Sequence, residues 1–149
     1  MNQKNLRILK FFICTLLLSL LLCFTRNRVC IWGSSMLPTL KSGQIISHYQ
    51  EESPTIGDIV VLNVGGKQII KRVAALPGDT VALNQGILFR NGSAITEPYA
   101  LLDSSHYGPV TVPDEHLFVL GDNRAYSKDS RQIGCVHIGT YIGTIILPK

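Results

Sequence analysis

Two side chains in this sequence are suited to nucleophilic attack and proton transfer. Ser35 lies in the segment Gly33–Leu40 (GSSMLPTL), in which a glycine and a proline let the backbone turn and present a hydroxyl at a strand end. A serine hydroxyl becomes an effective nucleophile only when a base removes its proton. We therefore take Ser35 as the candidate nucleophile. A loop serine that caps a turn would explain the segment equally well by itself.

Lys71 is the candidate base, within the run Gln68–Leu76 (QIIKRVAAL). In an extended strand Ile69, Lys71 and Val73 share one face, and Arg72 points to the other. A lysine on an apolar face is desolvated, which lowers its pKa and lets the neutral amine accept a proton. An isolated lysine is more often one that extends its amine from a strand edge to solvent.

A third segment, Gly121–Arg131 (GDNRAYSKDSR), is mostly polar or charged and directly follows an apolar run. A solvated loop would have this composition. However, the charged side chains alternate in sign, as expected if they pair with one another and make the loop rigid. These are Asp122, Arg124, Asp129 and Arg131. A rigid loop of this kind is suited to orienting Lys71.

Most of the chain after residue 28 has the pattern of β structure. Short apolar runs separated by turn residues predict strands at Val29–Gly33, Gln44–Tyr49, Asp58–Val64, Lys67–Leu76, Thr80–Asn84, Ile87–Arg90, His116–Leu120 and Thr140–Leu147. The stretches Pro54–Gly57 and Tyr99–Pro113 are predicted to be loops. No helical periodicity is sustained after residue 28. The prediction is an all-β body, built as a coiled antiparallel sheet or a partly open barrel.

The N-terminal segment has a different character. Residues Phe11–Thr25 carry no charge, and as a helix they cover about 22 Å, against a hydrocarbon core of about 30 Å. Arg7 and Lys10 can extend their charges outward and lengthen the span. No small-x-small cleavage site follows, which favours a retained single-pass membrane anchor over a cleavable signal peptide. We expect a membrane anchor over residues 1–28, with the N-terminus on the cytoplasmic side of the cell membrane, and an extracytoplasmic catalytic β-domain over residues 29–149.

Composition excludes several functions. Of the 14 Lys+Arg, five lie in the first 28 residues, so the body has nine against ten acidic residues. A near-neutral body lacks the basic footprint of a nucleic-acid binder. The four histidines are scattered without metal-ligand spacing. Cys14 and Cys23 are interpreted as small hydrophobes within the apolar run, whereas Cys30 and Cys135 are either a disulfide or two separate thiols.

Taken together, the three segments in this order behind an apolar N-terminal run resemble the type I signal peptidases of the serine–lysine peptidase family. The resemblance covers nearly the whole chain. It implies that Ser35 is the nucleophile, that Lys71 is the general base, and that Ser127 hydrogen-bonds and orients the Lys71 amine. It implies neither a metal nor a cofactor. The substrates would be the signal peptides of preproteins, bound beside a lipid bilayer; the oligomeric state stays open.

The resemblance also assigns supporting residues. Asp129 and Arg131 would brace the third segment, with Asp122 and Arg124 as further structural members. Shallow apolar pockets for the substrate would be lined by Ile31, Met36, Leu40 and Ile70.

One position departs from part of the family. Some members have a serine two residues before the nucleophile, and its hydroxyl helps to form the oxyanion hole, but this chain has Gly33 there. The Ser35 backbone N–H is the expected oxyanion donor. The second donor is unassigned.

Three other functions are compatible with parts of the pattern. A conjugative-transfer peptidase would use the same chemistry on a pilin precursor. A self-cleaving repressor would need a DNA-binding domain where the apolar run stands. A membrane-tethered β-domain that binds peptides without cleaving them would leave Lys71 with an ordinary titration.

Overall fold

A computed structural model describes residues 3–147, with side chains for all of these except 5, 18 and 20–26. The helices are α1 (Gln3–Arg26) and α2 (Ser130–Ile133), and short 3-10 turns cover Arg124–Tyr126 and Ile138–Thr140. The strands are β1 (Arg28–Cys30), β2 (Ile45–Tyr49), β3 (Ile59–Val64), β4 (Lys67–Ala75), β5 (Thr80–Asn84), β6 (Ile87–Arg90), β7 (Ser93–Ala94), β8 (Tyr107–Thr111), β9 (His116–Leu120), β10 (Val136–His137) and β11 (Tyr141–Ile145).

The strands form two antiparallel sheets. The larger sheet has the order β1-β2-β11-β3-β4-β9-β10, and the smaller has the order β7-β6-β5-β8. Neither sheet closes into a barrel. The prediction of a mostly antiparallel β body is thereby confirmed. Strand β9 supplies much of the core, since its last four residues are buried, Phe118 and Val119 completely.

The sequence prediction missed three strands, of which β8 is the longest. Residues Tyr107–Thr111 were expected to be loop, yet β8 pairs with β5 in the smaller sheet. Gly108 and Pro109 lie within the strand and hide its periodicity. Gly108 is needed because a Cβ there would overlap the carbonyl oxygen of Val81. The missed strands β7 and β10 have only two residues each, too few to show a pattern.

Strand β1 is shorter than predicted. It ends at Cys30, and the chain then leaves the sheet towards Gly33, whose φ of 88° suits glycine. The bend leads directly into the segment that carries Ser35.

Strand β4 carries Lys71 on a partly free edge. On one side, Lys67–Arg72 pair with β3 throughout. On the other side, pairing with β9 begins only at Arg72. Among the described residues, Lys67–Lys71 therefore have a strand edge that no other strand occupies.

Helix α1 has 24 residues, and the described side chains of its apolar residues are exposed, with Phe11 and Phe12 exposed by 67% and 64%. No helix of the described residues combines the length and the mean hydropathy expected of a segment that crosses a membrane. Cys14 is an exposed free thiol, whereas the side chain of Cys23 lies outside the described part. Cys30 and Cys135 are free thiols and form no disulfide.

Candidate active site

The two candidate catalytic side chains are in direct contact. Lys71 Nζ lies 2.9 Å from Ser35 Oγ, although the residues are 36 positions apart in the sequence. The same amine donates a hydrogen bond to the carbonyl oxygen of Ile70 at 3.0 Å. Lys71 is 4% exposed, so the contact is shielded from bulk water. A neutral amine in this position could accept the Ser35 proton.

The surroundings of Lys71 favour its neutral form. Burial lowers the pKa of the Lys71 amine because the charged form loses hydration, while the negative charges of Asp129 and Asp122 act in the opposite direction. The net effect is a lowered pKa of the Lys71 amine. This agrees with the desolvation expected from the apolar face of β4.

Both side chains lie in a groove between the segment after β1 and the free edge of β4. Its lining residues are Val29, Cys30, Ile31, Trp32, Gly33, Ser35, Met36, Gln68, Ile69, Ile70 and Lys71. Three of the four predicted pocket residues are among them. Trp32, which is 83% exposed, was missed because a single aromatic residue after a strand gives no distinct signal.

Leu40 does not line the groove. It is 1% exposed and packs in a core cluster with Val29 and Ile59. Its N–H bonds the carbonyl of Met36 at 2.8 Å, which turns the chain inward. Leu40 is therefore a core residue, and its assignment to the substrate groove is corrected.

A buried ion pair links the Lys71 strand to the Ser35 segment. The Arg72 guanidinium donates to both carboxylate oxygens of Asp122, at 2.8 and 2.6 Å. The Thr39 hydroxyl donates to the same carboxylate. The guanidinium also lies 3.9 Å from the centroid of the Tyr99 ring, which suits a cation–π contact. Asp122 thus fixes β4 and the nucleophile segment to one another.

Asp129 and Arg131 form the pair that the alternating charges predicted. Asp129 Oδ1 accepts from Arg131 Nε at 2.9 Å, and Asp129 Oδ2 accepts from the backbone N–H of Gly121 at 3.0 Å. Asp129 also begins α2 as its N-cap, in a capping box with Gln132. The pair therefore braces both ends of the segment.

The other two charges find partners outside the segment, which corrects the expectation that all four pair internally. Asp122 binds Arg72, and Arg124 binds Glu97 at 2.7 Å. Charge alternation along the sequence therefore does not predict the partners of these two side chains.

The predicted loop that begins at Tyr99, together with Glu97 just before it, supplies partners for the arginine side chains. In addition to Glu97, its Asp103 lies 2.9 Å from Arg131 and its Tyr99 contacts Arg72. The only sequence signal was the presence of acidic residues in this loop.

Ser127 is buried but makes no hydrogen bond to Lys71. Its hydroxyl has no hydrogen-bond partner among the described residues, so the expected bond to the Lys71 amine is not formed. Gly121 lies between Ser127 and the nucleophile, because a Cβ at that position would overlap both Ser127 Oγ and the carbonyl oxygen of Ser35. Ser127 therefore packs closely against the nucleophile segment.

Asn123 was also missed as an individual site residue. Its backbone N–H donates to the Ser35 carbonyl at 3.0 Å, and its side-chain Nδ2 donates to the Ser34 carbonyl at 3.1 Å. A polar residue in a polar loop gives no sequence signal for such a contact.

A serine hydroxyl in contact with a buried amine, in an open groove beside a free strand edge, is compatible with a peptidase active site. The family model described as signal peptidase, peptidase S26, matches residues 5–148. The chain belongs to this family and is a peptidase.

The chain is also similar to individual signal peptidases. The chain is 35% identical to a signal peptidase I of Bacillus caldolyticus over an alignment of 165 positions, which covers 97% of this chain and 90% of that protein. It is 39% identical over 126 residues to a probable signal peptidase I-1 of Synechocystis, covering 74% of this chain and 64% of that protein. The structure is similar to the crystal structure of a signal peptidase I from Enterococcus faecalis, with a TM-score of 0.58 and 28% identity, over 65% of this chain and all of that one.

Proposed function

We propose that this protein is a membrane-bound serine endopeptidase that removes N-terminal signal peptides from exported preproteins after small-x-small sites. Ser35 is the nucleophile and Lys71 is the general base. The observation that carries the proposal is the 2.9 Å contact between Lys71 Nζ and Ser35 Oγ at a buried position. Family membership supports signal peptide removal as the reaction class.

The chemistry proceeds as two acyl transfers. Ser35 Oγ attacks the scissile carbonyl carbon while Lys71 Nζ takes the hydroxyl proton. The tetrahedral intermediate collapses with cleavage of the C–N bond, and the Lys71 ammonium gives its proton to the leaving amine. Lys71 then takes a proton from water as the water attacks the Ser35 ester. The carboxylate product leaves, and the serine hydroxyl is restored.

The oxyanion of each tetrahedral intermediate is stabilised by the backbone N–H of Ser35. Among the described residues none accepts a hydrogen bond from this N–H. It is therefore free to donate to a substrate oxygen.

The substrate binds as an extended strand. The edge of Lys67–Lys71 that no strand occupies offers main-chain hydrogen bonds, and the groove wall offers apolar contacts. Ile31, Met36 and Ile70 line the groove near Ser35, and they suit small side chains at the first and third positions before the cut.

Helix α1 anchors the protein in the cell membrane, with the N-terminus inside and residues 29–149 on the extracytoplasmic side. Its 24 residues span about 36 Å at 1.5 Å per residue. The uncharged run Phe11–Thr25 supports this role. An anchor that ends two residues before β1 holds the groove close to the membrane surface.

The test is incubation of the purified protein with a model precursor that carries an Ala-x-Ala site, followed by mass spectrometry of the products. We expect cleavage after the second alanine, and no cleavage by Ser35→Ala or Lys71→Ala. Exposed Ser53→Ala and Lys41→Ala are the matched controls and should retain activity. Binding of the precursor without cleavage would instead indicate a peptide-binding domain.

A further inference from the structure

The peptide group between Ser34 and Ser35 is fixed by hydrogen bonds to its carbonyl oxygen. The Ser34 carbonyl oxygen accepts the 3.1 Å bond from Asn123 Nδ2 and a second bond from Leu37 N–H at 3.2 Å. The next carbonyl, that of Ser35, accepts from Asn123 N–H. One residue therefore binds two consecutive carbonyl groups of the nucleophile segment.

The geometry of a trans peptide gives these bonds a functional consequence. In a trans peptide plane the C=O of one residue and the N–H of the next point in opposite directions. The Ser34–Ser35 bond is not among the cis bonds of the described residues. Fixing the Ser34 carbonyl towards Asn123 therefore fixes the Ser35 N–H in the opposite direction. A rotation of this plane would replace the N–H with a carbonyl oxygen, which repels an oxyanion.

Capping of the neighbouring 3-10 turn does not account for the Asn123 side chain. Asn123 precedes the 3-10 turn Arg124–Tyr126, where an asparagine commonly caps with its side chain, but no such cap bond is formed. The side chain instead reaches across to Ser34 and is buried at 7% exposure. The backbone on either side of Asn123 is held by Leu101, whose N–H donates to Asp122 O at 2.7 Å and whose carbonyl accepts from Arg124 N–H at 3.0 Å.

We propose that Asn123 is a positioning residue that orients the Ser34–Ser35 peptide so that the Ser35 N–H donates to the oxyanion. This inference rests on the proposed serine peptidase function. Gly33 has no hydroxyl that could act as a second oxyanion donor. Asn123 would therefore hold the one backbone donor, the Ser35 N–H, in the orientation that the oxyanion needs.

The test compares Asn123→Ala and Asn123→Asp with the unmodified full chain. Both variants remove the Nδ2 donor, and the aspartate keeps the shape. Removal of an oxyanion donor in other enzymes lowers kcat by about 100- to 1000-fold, and loss of its positioning should cost less, about 10- to 100-fold, with little change in KM. Asn91→Ala is the control, because it removes an asparagine with two side-chain bonds in the smaller sheet. It should leave kcat unchanged.

A second readout separates positioning from folding. A substrate-like peptide aldehyde forms a tetrahedral adduct with Ser35: Oγ bonds to the aldehyde carbon and the serine proton moves to Lys71. An uncleavable peptide with proline after the cut site binds without an adduct. Asn123→Ala should weaken aldehyde binding about tenfold or more and leave the affinity for the uncleavable peptide unchanged.

The outcomes are distinct. Unchanged kcat and unchanged aldehyde affinity in both Asn123 variants would overturn the inference, and so would equal weakening of both ligands. Full cleavage by Ser35→Ala would instead overturn the proposed function on which it rests.

Discussion

Replacing Asp122 with alanine removes the carboxylate that joins the Lys71 strand to the Ser35 segment. Asp122 is 1% exposed and accepts two bonds from Arg72 and one from Thr39. After the substitution the Arg72 guanidinium keeps the Gly57 carbonyl as its one hydrogen-bond acceptor among the described residues. Arg72, which is 8% exposed, would then lack the carboxylate that contacts it in the parent.

The expected loss of stability follows from this geometry. Removing one partner of a buried ion pair costs about 3–5 kcal/mol, since the remaining charge stays desolvated. The Tyr99 contact is present in the parent and in the variant, so it does not change this difference. We therefore expect Asp122→Ala to lose about 3–5 kcal/mol of unfolding free energy. Replacing both partners, as Arg72→Met with Asp122→Leu, should cost less than Asp122→Ala alone.

Urea unfolding in detergent, followed by circular dichroism, measures these differences. Lys41→Ala is the control for an exposed charge and should stay within about 0.5 kcal/mol of the parent. A loss below about 1 kcal/mol for Asp122→Ala would show that the pair behaves as a surface salt bridge. That result would refute the view that this pair fixes the two catalytic segments.

Four further results are expected. Because burial lowers the pKa of Lys71, and a protonated amine cannot act as base, activity should rise as pH rises through that lowered pKa. Asp129→Asn removes a charge that favours the protonated amine, so a pH–rate profile should show the acidic limb moving to lower pH; a move to higher pH would contradict this. Gly121→Ala should abolish cleavage in the precursor assay, because the added Cβ would overlap Ser127 and the Ser35 carbonyl. A fully active variant would contradict this, since it would show that the segment around Ser35 can shift to make room for the methyl group. Ser127→Ala removes a buried hydroxyl that has no hydrogen-bond partner among the described residues, so it should not lower the melting temperature. Reduced activity at unchanged melting temperature would show that the Ser127 hydroxyl acts on Lys71 during turnover.

The features of the site that the sequence could predict depend on residues that are close together in the sequence. Strand alternation in β4 placed Lys71 on an apolar face, and the lowered pKa follows from that burial. The opposite charges of Asp129 and Arg131 are only two residues apart, so neighbouring positions were enough to predict the pair. Short-range patterns of this kind survive folding because few other contacts compete with them.

The missed features depend on contacts between distant segments. Arg124 is satisfied by Glu97, 27 residues earlier, and no pattern around either residue indicates the other. Leu40 was assigned to the groove by resemblance, but the turn after Met36 directs it into the core. The role of Asn123 depends on which carbonyl its amide reaches, which only the folded structure determines.

Intact-mass spectrometry of the protein mixed with the Ala-x-Ala precursor and quenched in acid tests the central claim most directly. The account predicts a transient adduct that adds the mass of the N-terminal fragment less one water, mapped after digestion to the peptide that contains Ser35 and absent in Ser35→Ala. Precursor cleavage that persists in Ser35→Ala, or an adduct on any other residue, would contradict it.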